Sequence, residues 1–146
     1  MSTQVVGRRS PRWALLQRMT IPCRDGLVYL VRLRIVQTPW FGVYVHDILE
    51  PDGDRDPHDH PWTFFSVVLR GAYTETVHTD PWFGLGATKT QTWRRGSIHR
   101  MNRDSAHRIV GLTSGLKTLI FTGPRRRNWG FHTPNGFVTW QEYDHP

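Results

Sequence analysis

From Leu27 onward the chain is cut by Gly, Pro, Asp and Asn clusters into short runs rich in β-branched and aromatic residues. Runs of this kind fit a pleated, half-buried surface and leave no room for long helices. In Leu27, Tyr29, Val31, Leu33 and Ile35 the apolar period is two, set against a face carrying Arg32 and Arg34, which predicts a half-buried strand with the apolar residues inward. Further strands are predicted over 41–48, 62–69, 72–78, 88–95, 97–102, 116–122 and 137–143, and His107 precedes another at Arg108-Ile109-Val110. Short strands at such spacing imply an all-β sandwich or barrel. Pro134-Asn135-Gly136 supplies turn chemistry between two aromatic segments and predicts a closing hairpin. Only Ser10-Pro11 followed by Arg12 to Met19 reads as a helix, with an N-cap, a proline at the first helical position, and Trp13, Leu16 and Met19 facing the core. The expected organisation is an extension with a short helix over 1–26 and one β-barrel over 27–146.

The 146 residues suffice for one core without staples, and seven Trp with seven Phe exclude the composition of a disordered chain. No apolar run approaches a membrane span. Arg8-Arg9 resembles the start of an export signal, but only Trp13 to Leu16 follows as an apolar stretch, so a cytoplasmic protein is expected. The single cysteine, Cys23, excludes an intrachain disulfide and any zinc site built on several thiolates, leaving histidine to supply metal chemistry. Nineteen basic against twelve acidic residues give a net charge of +7, yet the cations are scattered in pairs and triplets while Asp47, Glu50, Asp52, Asp54, Asp56 and Asp59 crowd together. Without a basic stripe, specific nucleic-acid binding is not expected.

His58 and His60 stand two residues apart at the entrance to a strand, so both imidazoles can face one ion. A third ligand is needed to hold that ion firmly, and His107 is the candidate. Here the chain resembles the cupins, small jelly-roll barrels marked by G-x5-H-x-H-x3,4-E-x6-G and G-x5-P-x-G-x2-H-x3-N. Gly53, His58, His60 and Gly71 follow the first pattern with one residue missing after Gly53, and Phe64 stands where Glu is expected. Gly96 and His107 follow the second, with Asn102 for Pro, Asp104 for Gly and Gly111 for Asn. The 24 residues between Gly71 and Gly96 match the usual separation of the two motifs.

The resemblance implies an all-β, single-domain jelly-roll barrel, an antiparallel double-stranded β-helix, in which His58, His60 and His107 bind one divalent metal. Cupins that keep three histidines and lack the Glu include iron dioxygenases, so Fe2+ is implied first, with Zn2+, Ni2+ and Mn2+ as alternatives. The expected function is therefore a non-haem iron dioxygenase acting on a small anionic molecule. Arg32, Arg34, Arg70 and Arg108 are candidates to hold the anion. Tyr73 and Glu75 share a strand face and are the catalytic candidates, as acid, base or partners of a ligand, with Glu75 also a substitute ligand and a surface position as its ordinary fate. His99 is expected to point outward among arginines; His46 and His132 are candidates to line the pocket, with a satisfied or exposed position as their ordinary fate. Two alternatives stand beside the oxygenase: a sugar-nucleotide isomerase or epimerase, and a non-catalytic module binding an acidic partner. The expected partner is a small-molecule substrate, with no membrane and no specific nucleic acid, and a homodimer is the assembly considered.

Overall fold

The computed structural model describes residues 3–5, 12–23 and 26–143. Twelve strands run in chain order: β1 Thr3–Val5, β2 Ala14–Pro22, β3 Val28–Gln37, β4 Gly42–Ile48, β5 Phe64–Arg70, β6 Ala72–His78, β7 Thr88–Arg94, β8 Ile98–Met101, β9 Ala106–Leu112, β10 Leu116–Thr122, β11 Gly130–Thr133 and β12 Gly136–Thr139. Their only helical companion among the described residues is one 3-10 turn, Pro81–Phe83. A seven-stranded sheet in the order β1-β2-β3-β4-β10-β5-β8 faces a three-stranded sheet in the order β7-β6-β9. Every pairing within them is antiparallel except that of β1 with β2. Leu30, Ile48, Val68 and Leu116 from the first sheet pack against Tyr73 and Ile109 from the second, so one core joins the two layers. A second cluster, Tyr44, Trp62, Phe64, Met101 and Ile120, continues it.

Strands cover the runs the sequence predicts, except that the last ends at Thr139 and gives way to a turn over 140–142 where the sequence predicts a strand as far as Tyr143, and the Pro134-Asn135 turn joins β11 to β12 as an antiparallel hairpin. The predicted N-terminal helix is absent. Ala14–Pro22 is instead a strand paired with β3 from Ala14 opposite Gln37 to Pro22 opposite Val28. Trp13 and Leu16, expected in the core, are 62% and 56% exposed. The reason is cooperative: a two-turn helix is marginal in water, whereas the same residues gain a full ladder along the otherwise open edge of β3. Ser10 and Pro11, the expected cap, lie outside the described residues, as do Arg8 and Arg9.

The facing of β3 is also the reverse of the expectation. Leu30 and Arg34 are its buried positions, at 6% and 1% exposure, so the face carrying Arg32 and Arg34 is the inner one. Along the same lateral rows the inner face presents Tyr44 and His46 on β4, Thr118 and Ile120 on β10, and Ser66 on β5. The barrel interior is therefore polar at its middle and apolar at its ends.

Gly71 turns the chain from β5 into β6 at φ +79°, and a Cβ there would lie 2.7 Å from Thr113 Oγ1 and 3.2 Å from Leu116 Cα. Both the backbone conformation and the lack of space call for glycine. This turn sets the phase of β6, and with it the inward direction of Tyr73 and Glu75.

Candidate metal centre

The segment delivering His58 and His60 has little regular structure of its own and is held by its acids. Asp52 accepts from the Ile109 amide at 2.6 Å and from the Tyr29 hydroxyl, while its own amide donates to the Ile109 carbonyl at 3.0 Å. Asp56 accepts from the Tyr143 hydroxyl at 2.8 Å. His58 then exchanges two backbone hydrogen bonds with His107, at 3.0 and 2.9 Å, placing the two residues side by side. Asp52 and Asp56, which the sequence presents as part of a charged turn, are thus anchors.

Asp59, between the two histidines, points the opposite way, as alternation requires. It is completely buried and accepts from the Gly130 amide at 2.9 Å, His132 Nε2 at 2.7 Å and an Arg127 terminal amino group at 2.7 Å. Its amide donates back to the Gly130 carbonyl at 3.0 Å. The C-terminal hairpin is thereby clasped to the strip that carries His58 and His60. A Cβ at Gly130 would run into the Val138 carbonyl, so this close approach requires glycine.

The outcome is a triangle of imidazoles. Ring centroids of His58 and His60 are 5.1 Å apart, those of His58 and His107 4.7 Å, and those of His60 and His107 4.9 Å. One ring nitrogen from each lies within 4.8 Å of the others. Nitrogens sharing one ion at about 2.1 Å sit roughly 3 to 3.5 Å apart, so small side-chain rotations complete a site.

The electrostatics suit ligation. Burial pushes His58 below its ordinary pKa, partly opposed by Asp52, whose carboxylate lies 3.7 Å from Nδ1. Burial and the neighbouring His107 and His58 push His60 well below, and its buried Nδ1 has no hydrogen-bond partner. Both rings are therefore neutral, the state in which imidazole coordinates metal. His107 is different. Burial opposes its charging, but the hydrogen bond from Nδ1 to Glu75, 2.5 Å long, together with Glu75's charge, outweighs burial and raises it.

Glu75 is fully buried, which corrects the expectation of a surface carboxylate. It is not a fourth member of the triangle. One oxygen accepts from His107 and the other from Trp93 Nε1 at 2.7 Å, so both are occupied. Burial alone would raise its pKa, but the bonds from His107 and Trp93 and the charge on His107 hold it below the ordinary value. A carboxylate on Nδ1 fixes the ring so that Nε2 is left for an ion. Tyr73 also faces inward, and its hydroxyl lies 3.1 Å from His99 Nε2. Burial and the charge of Glu75 raise its pKa, keeping it a neutral phenol.

His99 is buried, stacked on Trp93 at 4.0 Å, and not outward as expected. β8 pairs with β5 so that His99 sits opposite the buried Ser66, which fixes its direction, while the intervening Arg100 is exposed. His46 accepts from Arg32 Nε at 2.9 Å, and His132 is bound to Asp59, so both are satisfied as expected. Phe64 is buried, its ring 4.8 Å from that of His60, an apolar wall beside the triangle.

Of the four arginines expected to hold an anion, three are placed otherwise. Arg34 is bound to Gln17 at 2.8 Å, Arg70 is exposed and donates to the Gly115 carbonyl, and Arg108 alternates away from His107 on β9. Arg32 remains, on the inner face. Sequence reasoning missed Asp52 and Asp59 as supports. Their proximity to His58 and His60 was visible, but their partners lie about 57 and 71 residues away in the chain, beyond the reach of local pattern.

No protein-family model matches the chain, nor does any curated protein sequence. Solved structures do. KdgF from Halomonas sp. is 17% identical, with a TM-score of 0.52 over 67% of this chain and 82% of that one. Hydroxypropylphosphonic acid epoxidase from S. wedmorenis is 19% identical, with a TM-score of 0.51 over 73% of this chain and 55% of that one. Streptomyces albus HEPD, with 2-hydroxyethylphosphonate and Fe(II) bound, is 12% identical, with a TM-score of 0.57 over 75% of this chain and 24% of that one. These likenesses and the antiparallel two-sheet architecture establish the fold that the two motifs imply.

Proposed function

We propose that this cupin-fold chain is a metal-dependent enzyme, an oxygenase in which His58, His60 and His107 hold one divalent ion, Fe2+ first, and which acts on a small anionic molecule. The triangle of imidazoles, His107 buried and His58 and His60 half-buried, carries this reading. His58 and His60 are neutral and His107 would release its Nε2 proton on coordination, so the three imidazoles would leave a divalent ion its full charge and open positions, which in iron's case would suit a substrate and dioxygen together. The chain's own part is to orient and to exclude. Glu75 holds His107 by Nδ1, Phe64 shields His60 with an apolar ring, and Asp52 and Asp59 keep the strip rigid. Glu75 and Tyr73 enter as positioning residues: Trp93 donates to Glu75, while Tyr73 holds His99 against the Trp93 ring.

Iron is placed first because HEPD, which shares this fold, holds Fe(II); the fold itself does not choose the metal. The test is direct. Purified full-length chain is analysed for metal, stripped, and titrated anaerobically with Fe2+, Zn2+ and Ni2+ beside His58→Ala, His60→Ala and His107→Ala. One ion per chain, lost in each variant, is expected, with oxygen uptake by the iron form across a panel of small acids. Unaltered affinity in all three variants overturns the site. Tight metal binding without oxygen uptake overturns the oxygenase and moves the reading to an isomerase.

A further inference from the structure

A lateral row on the inner face of the large sheet runs Arg32, His46, Thr118, each directly opposite the next on β3, β4 and β10. Neighbouring strands lie about 4.8 Å apart, so the long Arg32 side chain can reach across the row. Its contacts among the described residues are few: Nε donates to His46 Nε2 at 2.9 Å, and the guanidinium lies 5.2 Å from the Tyr44 ring. Because His46 Nε2 accepts, that imidazole is neutral and leaves the cation uncompensated. Burial and the Arg32 and Arg34 charges push the His46 pKa well down in agreement.

Among the described residues no carboxylate forms an ion pair with Arg32, and none accepts from its terminal amino groups. Burial first, and the neighbouring Arg34 after it, lower the Arg32 pKa to about 10. A half-buried cation on the inner face beside a second one calls for an anion. At the other end of the row Thr118 is 2% exposed, and its buried hydroxyl has no hydrogen-bond partner. A guanidinium fork and an unused hydroxyl on one face are donors without acceptors. The Tyr44 ring lies 6.2 Å from that of His46 and 5.2 Å from the Arg32 guanidinium, and it shares a packed cluster with Phe64, whose ring is 4.8 Å from that of His60, which puts the row on the same side of the interior as the three histidines.

We infer that Arg32 and Thr118 form the seat for the acid group of the substrate, a carboxylate or a phosphonate, beside the three-histidine triangle. The inference rests on the reading of that triangle as the place where substrate reacts, and it narrows the substrate to a small molecule with two polar ends. The acid end sits in the guanidinium fork and takes the Thr118 hydroxyl proton as a hydrogen bond. The other end faces the imidazoles. Lysine would not serve equally at this position, since only the planar fork offers two parallel N–H groups to one acid.

The test uses the full-length, metal-free chain titrated by calorimetry with malonate and, separately, methylphosphonate at fixed ionic strength. Saturable binding of one of them is expected, and which one binds tells carboxylate from phosphonate. Arg32→Met should weaken it about 10- to 100-fold and Thr118→Val about 3- to 10-fold, while Arg125→Met, on the exposed surface, controls for general charge. Cobalt titrations of wild type and Arg32→Met should agree. Anion binding without cobalt binding would sink the metal reading and leave this seat intact, and cobalt binding without anion binding does the reverse. Equal anion affinity in Arg32→Met and wild type, or an equal loss in Arg125→Met, overturns the inference. Should Arg32→Met fail to fold, Thr118→Val exchanges a hydroxyl for a methyl of the same shape, and unchanged affinity there overturns it.

Discussion

Replacing Glu75 by glutamine keeps the shape of a fully buried side chain and removes one acceptor. The carboxylate accepts two N–H groups, His107 Nδ1–H at 2.5 Å and Trp93 Nε1–H at 2.7 Å. A glutamine can satisfy only one of them, because its other end is itself a donor. The Trp93 indole has no second tautomer, but His107 has. The expected result is that His107 shifts its proton to Nε2, so that Nδ1 accepts from the new amide and the nitrogen left for an ion carries hydrogen. Coordination must then reverse that shift and recreate a donor facing a donor. Loss of one charge-assisted hydrogen bond in a buried site costs about 1.5–3 kcal/mol, which corresponds to roughly 10- to 100-fold in metal affinity. Competition against a chromophoric chelator, with cobalt as the ion, measures this. Thermal melting of the metal-free variant separates lost affinity from lost fold. Wild-type cobalt affinity in Glu75→Gln would refute the tautomer argument and reduce Glu75 to packing. Glu75→Ala, which leaves the His107 N–H without its carboxylate, should fall at least as far.

Phe64→Glu puts a carboxylate among Tyr44, Trp62, Met101 and Ile120 beside His60, so the metal-free variant should lose at least about 2 kcal/mol in denaturant melts. A divalent ion should restore that loss, and cobalt should show a changed visible spectrum, whereas an unchanged spectrum would mean that position 64 does not reach the ion. Gly130→Ala forces a methyl against the Val138 carbonyl and should cost about 1–3 kcal/mol, read from the same melts, while weakening cobalt binding through the Asp59 clasp. Wild-type stability there would show that the hairpin gives way freely. Duplex and single-stranded DNA should bind weakly, with affinity falling steeply between low and physiological salt, as expected of a chain with net charge +7. Tight binding that survives salt and depends on sequence would contradict this.

Most strands were legible from the sequence, because turn residues and a period of two are local properties read over a few positions, whereas β1, β2 and β11 were not. The sequence by itself also determined the metal-binding candidates, since His58 and His60 are separated by one residue on an extended chain and His107 lies at motif spacing. Tertiary structure decided which side of each strand is the inside. Alternation shows that Arg32 and Arg34 share a face, but an arginine-bearing face is ordinarily the wet one. It turned inward here because Tyr44, His46 and Gln17, on two other strands, supply ring and hydrogen-bond partners. The same holds for Glu75 and His99, whose burial depends on Trp93 and His107 arriving from β7 and β9. The fate of Ala14–Pro22 was decided likewise, by the free edge of β3 and not by its own helical preference. A charged or polar side chain is stable inside only where partners distant in sequence compensate its lost hydration, and those partners are brought together only by the fold.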